Sequence, residues 1–191
     1  PTGLYFVTHG PQGHVFSYRR AGSASSRYGV RHLPHDLLKQ AKVLHVSAIS
    51  QAISDVACDG VFEAIDIVRK AGGLVSYDTN LRLKLWPLAR ARAVIEATAA
   101  MADIVLPGLD DARLLTGLET AGEIADHYLA LGARHVALTL GADGVLYANR
   151  DTRERIAPHV VEAVDATGAG DAFDGAFLAE LLATGDGVAA A

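Results

Sequence analysis

Four short runs of β-prone apolar residues recur along the middle of the chain: Val43-Leu44-His45-Val46, Leu74-Val75-Ser76-Tyr77, Ile104-Val105-Leu106 and Val136-Ala137-Leu138-Thr139-Leu140. They begin at positions 43, 74, 104 and 136, a spacing that matches the length of a βαβ unit. Between them apolar residues return at helical intervals, as Val61, Ala64, Ile65 and Val68 after the first run and Ile124, Tyr128 and Leu131 before the last. This alternation predicts an α/β domain whose parallel sheet is covered by helices on both faces and joined by right-handed crossovers. Ahead of it, Leu4-Tyr5-Phe6-Val7 and His14-Val15-Phe16-Ser17-Tyr18 flank the turn-prone Gly10-Pro11-Gln12-Gly13, which predicts a β-hairpin over residues 4–20.

Ligands of such sheets bind beyond the carboxyl ends of the strands. The segments that follow the four runs are Ser47-Ala48-Ile49-Ser50, Asp78-Thr79-Asn80-Leu81-Arg82, Pro107-Gly108-Leu109-Asp110-Asp111 and Gly141-Ala142-Asp143-Gly144. Polar residues therefore gather on one edge, although surface loops are polar for solubility as well. A fifth segment, Asp165-Ala166-Thr167-Gly168-Ala169-Gly170-Asp171, leads at once into an apolar run from Ala172 to Leu182. It reads as a glycine-bounded loop that opens a helix. The first N–H groups of a helix lack intrahelical partners and sit at the positive end of its dipole, so Gly168, Ala169 and Gly170 suit an anion cradle. Asp171 would repel a resting phosphate there, yet it is well placed to take the proton of a hydroxyl attacking one. That is the chemistry of a kinase; the same spacing also serves as a plain helix cap. A P-loop is excluded because no Lys-Ser or Lys-Thr pair occurs anywhere in the chain, and the dinucleotide fingerprint fails because it needs a small residue where Phe173 stands.

Composition narrows the class. The 191 residues are half hydrophobic with a formal net charge of −5, enough for one sizeable core, so residues 1–191 read as a single domain. The acidic balance without a Lys/Arg run argues against nucleic acid, and no apolar stretch approaches the roughly 20 residues of a membrane span. Cys58, the single cysteine, can form no internal disulfide and reads as a small apolar residue buried on a helix, which fits a reducing cytoplasm. His32 and His35 are the sole close histidine pair, interrupted by Pro34 and without a third ligand, so no zinc site is assigned. His45 and His135 fall in or beside strands and read as structural. The chain opens on Pro1, its only methionine is Met101, and it stops as a further helix begins near Gly187, which reads as a fragment.

The stretch from Asp165 to Phe173 resembles, without a gap, the C-terminal signature of the ribokinase-like (PfkB) carbohydrate kinases. The resemblance implies a three-layer α/β/α ribokinase-like fold with a mainly parallel sheet, in which the 4–20 hairpin is part of a small β lid. It implies Asp171 as the catalytic base, the backbone of Gly168, Ala169 and Gly170 as the anion hole, and ATP and Mg2+ as cofactors. By family analogy Asp165 is a candidate for a monovalent cation and, with Thr167, shapes the loop. Tyr18-x-Arg20-x-Gly22-Ser23-Ala24 and Asp78-x-Asn80-x-Arg82, with Trp86 beyond, resemble the 2-keto-3-deoxygluconate kinase branch. There the Tyr and Arg contact the sugar acid, and a guanidinium can grip a carboxylate bidentately. Asn80 and Arg82 would face the nucleotide phosphates or the sugar acid, while Asp78 and Asn80 could equally end a strand by bonding their own backbone. Thr139, Gly141 and Gly144 match the family's nucleotide loop, and the same residues make a good hairpin turn before Val145. Where many relatives carry Asn-x-x-Glu for magnesium and phosphate, this chain has Gly108 and Asp111. Asp111 could hold a magnesium-bound water or serve only as an acidic first-turn residue of a helix.

The expectation from sequence is thus ATP-dependent phosphorylation of a terminal hydroxyl on a sugar acid, 2-keto-3-deoxygluconate above all. Its partners would be the sugar acid and ATP, with neither nucleic acid nor membrane, and a homo-oligomer is left open. Competing readings are a kinase of another sugar or nucleoside in the same family, and a non-catalytic sensor on the same fold, against which the retained Asp171 speaks. A further reading is a fragment inactive alone, because the family's N-terminal Gly-Gly sugar-binding segment is absent from it.

Overall fold

The computed structural model of the chain describes residues 1–10, 13–161 and 166–191, with the backbone alone for residues 9, 10 and 13–16. Pro11 and Gln12 of the expected turn lie outside the described residues. Strands β1 (Leu4–Gly10) and β2 (Gly13–Arg19) pair antiparallel, Leu4 opposite Arg19, as the hairpin required. Two 3-10 turns, Ser25–Arg27 and Val30–His32, and helix α1 (His35–Gln40) carry the chain to the main sheet. The predicted alternation follows: β3 (Val43–Ser47), α2 (Ala48–Ala52), α3 (Asp55–Lys70), β4 (Leu74–Asp78), α4 (Leu88–Ala99), β5 (Ile104–Leu106), α5 (Leu109–Thr116), α6 (Ala121–Leu131) and β6 (His135–Thr139). A 3-10 turn at Gly141–Asp143 then leads into β7 (Val145–Asn149) and β8 (Arg153–Ile156), before α7 (Ala169–Thr184) and α8 (Gly187–Ala190).

The sheet runs in the order β3-β4-β5-β6-β7-β8. Its first four strands are parallel, because each connection is long enough to hold a crossover helix; β7 and β8 are antiparallel additions, because their connections are only tight turns. The sheet is therefore mainly parallel rather than wholly so. Alternation along each strand makes the layers. Val75, Tyr77, Val105, Val136, Leu138, Leu146 and Ala148 point to one face and bury against Ile65, Ile95, Ile124 and Tyr128 from α3, α4 and α6. Their strand neighbours Ile104, Leu106, Ala137, Val145 and Tyr147 point to the other, against Phe177 and Leu181 of α7. Local signals agree with this packing. Helix α6 starts at a reciprocal Thr120–Glu123 capping box, and Cys58 is buried on α3. Among the described residues no helix is long and apolar enough to cross a membrane.

A polar bridge crosses the larger core. The Tyr77 hydroxyl of β4 donates to Gln51 Oε1 of α2 at 2.7 Å, Gln51 Nε2 donates to Thr98 Oγ1 of α4 at 2.9 Å, and Thr98 Oγ1 donates to the Val94 carbonyl at 2.8 Å. Gln51 is 1% exposed, so a Gln51→Leu substitution leaves a buried tyrosine hydroxyl without its acceptor. We expect it to lower the unfolding free energy by about 1–3 kcal/mol in urea titrations; an unchanged midpoint would show that the bridge contributes nothing net.

Candidate active site

The carboxyl ends of β4, β5 and β6 and the start of α7 surround a cavity of about 960 Å³. Strand β4 ends in it with Asp78, and the loop that follows contributes Asn80, Arg82 and Lys84. That loop is held at both ends by apolar anchors, Leu81 and Trp86, each 5% exposed, while Arg82, Leu83 and Lys84 between them remain exposed. Gly108, Asp111 and Thr139 complete the strand-end side, and Tyr18 reaches the cavity from the hairpin. Across from them stand Ala166, Thr167, Gly168, Gly170, Asp171 and Asp174. The structure thus brings together Tyr18, Asn80, Arg82, Asp111, Thr139, Gly168, Gly170 and Asp171 from the residues expected by sequence.

Four others do not line the cavity. The Arg20 guanidinium stacks over the Tyr18 ring, 4.3 Å from its centroid, and so stands one side chain back. Ala169 begins α7, and its N–H donates to the Ala166 carbonyl at 3.1 Å. The N–H groups of Gly170 and Asp171, in the first turn, are by helix geometry the ones without an intrahelical acceptor. Gly141 and Gly144 shape the turn between β6 and β7. At Gly144, with φ +90°, an added Cβ would lie 2.1 Å from the Ile156 carbonyl oxygen, so packing against the end of β8 already demands glycine there. Gly168, the residue before α7, adopts φ +80°, while a Cβ at Gly170 would meet nothing within 4 Å, leaving its backbone open for a ligand to approach. Asp165 lies outside the described residues.

The carboxylates divide into those with partners and those set apart. Asp78 accepts from Ser47 Oγ at 2.8 Å and from the Asn80 N–H at 2.9 Å, so it does bond its own backbone, and burial pushes its pKa up against those two bonds. Asp111 Oδ2 accepts from the Leu81 N–H at 2.9 Å and so ties the first turn of α5 to the loop after β4. Burial raises its pKa, opposed by that bond and by the Arg82 charge. Among the described residues no three His, Cys, Asp or Glu side chains form a group that could hold a metal ion. An isolated oxygen donor such as Asp111 fits a hydrated, phosphate-borne Mg2+ better than an all-protein cage.

Asp174 was not among the residues singled out from sequence, although Asp174, Phe177 and Leu181 at helical spacing could have placed it facing inward. It is 7% exposed and borders a second cavity, of about 900 Å³, beside β3 as well as the first. Burial, then the negative charges of Asp78 and Asp171, push its pKa up to about 7. A carboxyl pKa higher in the folded than in the unfolded chain, about 7 against 3.8, means that the folded state binds the extra proton. Stability therefore falls as pH rises from about 4 to about 7 and levels off above. Asp174→Asn removes that loss. We expect the variant to be more stable than the parent at pH 8, by an amount on the order of a few kcal/mol, and nearly equal to it at pH 4. Parallel stability curves for the two proteins would contradict the assignment.

Comparison with known proteins gives the chain its family. Residues 1–191 match the pfkB family carbohydrate kinase profile along their whole length. A 2-dehydro-3-deoxygluconokinase of Bacillus subtilis (strain 168) is 37% identical over 177 residues, covering 91% of this chain and 54% of that protein. Fructokinase-1 of Oryza sativa subsp. japonica is 35% identical over 184 residues, covering 95% and 57%. Among solved structures, the fructokinase of Vibrio cholerae O395 with fructose, ADP and calcium ion bound superposes with a TM-score of 0.78 at 29% identity, over 93% of this chain and 58% of the other. The chain thus spans a little over half the length of these relatives. With the family profile matched from end to end and the strand-end cavity assembled around the start of α7, this chain belongs to the pfkB family of carbohydrate kinases.

Proposed function

We propose that this chain carries the phosphoryl-transfer half of an ATP-dependent sugar-acid kinase, with 2-keto-3-deoxygluconate as its substrate. The observation that carries the reading is Asp171 in the first turn of α7, inside a cavity that also gathers Tyr18 and Arg82. In the reaction the Asp171 carboxylate accepts the proton of the substrate's terminal hydroxyl as its oxygen attacks the γ-phosphorus of ATP. The bond to the β,γ-bridging oxygen breaks and ADP leaves with that electron pair. The N–H groups of Gly170 and Asp171, with the Arg82 guanidinium, face the charge that develops on the transferred group. Asp111 would be the residue to hold a hydrated magnesium ion brought by the nucleotide, which would supply neutralisation of the phosphate charge. Asn80 and Thr139 are assigned to the nucleotide side, with Gly141 and Gly144 shaping the turn beside it, and a monovalent cation at Asp165 remains part of the proposal. ATP as donor and the free thiol of Cys58 suit a cytoplasmic enzyme.

A neutral ketohexose is the second reading, because a fructokinase is nearly as similar as the 2-dehydro-3-deoxygluconokinase. Arg20 supports the acid: stacked on Tyr18, it adds a positive charge directly behind the ring that enters the cavity, which a neutral sugar does not need. ADP release by the full-length protein, offered 2-keto-3-deoxygluconate, fructose, ribose and adenosine, tests the assignment. We expect the highest kcat/KM for the sugar acid and a KM for it raised a few-fold by Arg20→Ala, on the scale of about 1 kcal/mol for the loss of a cation–π contact and of a charge one side chain from the ligand. Asp171→Asn should lower kcat by about 10²–10⁴ with ATP affinity retained. Preference for fructose with Arg20→Ala silent would transfer the assignment to the neutral sugar, and near-normal turnover of Asp171→Asn would remove Asp171 as the base.

A further inference from the structure

The inward stripe of α7 consists of Asp174, Phe177 and Leu181, the spacing by which a helix seats one face on a sheet. Phe177 and Leu181 pack on Ile104, Leu106, Ala137, Val145 and Tyr147. Asp174, at the end nearest the base, stands instead opposite His45 of β3, with Oδ2 3.9 Å from Nε2. His45 is steadied from its other side, Nδ1 lying 3.1 Å from Ser76 Oγ of β4. Residues 168–172 are all exposed, so Asp174 is the first buried residue of the helix. An apolar side chain would anchor that position at lower cost, since a buried carboxyl keeps its charge only with good partners. At 3.9 Å the histidine is beyond hydrogen-bond reach and compensates the charge only when it is itself protonated.

We propose that Asp174, set against His45, is a positioning residue for the transfer: it registers the catalytic end of α7 on the sheet and sets the charge beside Asp171. This rests on the kinase reading of Asp171. The groups facing Asp174 are Asp171 on its own helix, Asp78 on β4 and His45 on β3. Burial lowers the pKa of His45, against the pull of Asp78 and Asp171, and the same burial raises that of Asp174 to about 7. Well below pH 7 the acid is mostly neutral and adds little charge to the cavity. Above it, a second negative charge stands one helical turn from Asp171 and opposes the entry of phosphate.

The test uses the full-length kinase as wild type, Asp174→Asn and Asp174→Leu, with MgATP affinity by calorimetry and kcat on the best sugar, each from pH 6 to pH 9. We expect the wild type to lose MgATP affinity as pH rises through 7 and Asp174→Asn, which stays neutral, to lose none over that interval. Asp174→Leu should melt no lower than the wild type yet fall in kcat by about tenfold to a hundredfold, the scale of a misplaced reacting group. Stability and activity move in opposite directions there, which a merely structural residue would not produce. Identical pH dependence of MgATP affinity in wild type and Asp174→Asn, or a wild-type kcat in Asp174→Leu, would overturn the proposal while leaving the kinase reading intact. A wild type that binds MgATP and phosphorylates no sugar would overturn the kinase reading and this role with it.

Discussion

The start of α7 is the constraint to which the rest of the structure answers. A helix leaves its first N–H groups without acceptors, and here that end is exposed, preceded by a glycine in the left-handed region and containing another with open space at its Cα. Water can satisfy such groups, but an anion satisfies them better because the dipole adds to the hydrogen bonds. Phe177 and Leu181 bury the far end of the same helix on the second face of the sheet. Seating the helix there brings its positive end to the level at which β4, β5 and β6 stop, so the loops after those strands meet it across one cavity.

Charge in that cavity is arranged, not merely accumulated. Asp78 and Asp111 spend carboxylate oxygens on backbone and hydroxyl donors that hold the loop after β4 in place. Leu81 and Trp86 fix the loop from below, and Arg82 and Lys84 are the cations it offers between them. Asp171 remains exposed and Asp174 buried on successive turns of one helix. Burial and the neighbouring negative charges raise the pKa of Asp174 to about 7, so its charge in the cavity changes near neutral pH.

Much of this was legible in the chain. The apolar runs locate β3 to β6 to within a residue or so, with Ile104–Leu106 coinciding at both ends, because parallel strands buried on both faces are continuous apolar segments. The loop after each strand was legible for the same reason. What escaped lacks that signal. Strand β8, Arg153-Glu154-Arg155-Ile156, is largely exposed and reads as surface, and it is held by its pairing to β7. Asp174 hid inside the motif because its burial depends on which face of α7 meets the sheet, and His45 because its partner lies more than a hundred residues away. Arg20 was assigned to the substrate by resemblance of the Tyr18-x-Arg20 motif, yet it sits just beyond the end of β2 and folds onto Tyr18.

The most direct measurement is a calorimetric titration of Gly170→Val with MgATP beside the wild type. Nothing lies within 4 Å of the position its Cβ would take, so the variant should fold and melt like the parent while its side chain fills the approach to the first-turn N–H groups. The account predicts that MgATP binding is lost in a folded protein. Unchanged affinity would contradict it, and would mean that the phosphate binds elsewhere than at the start of α7.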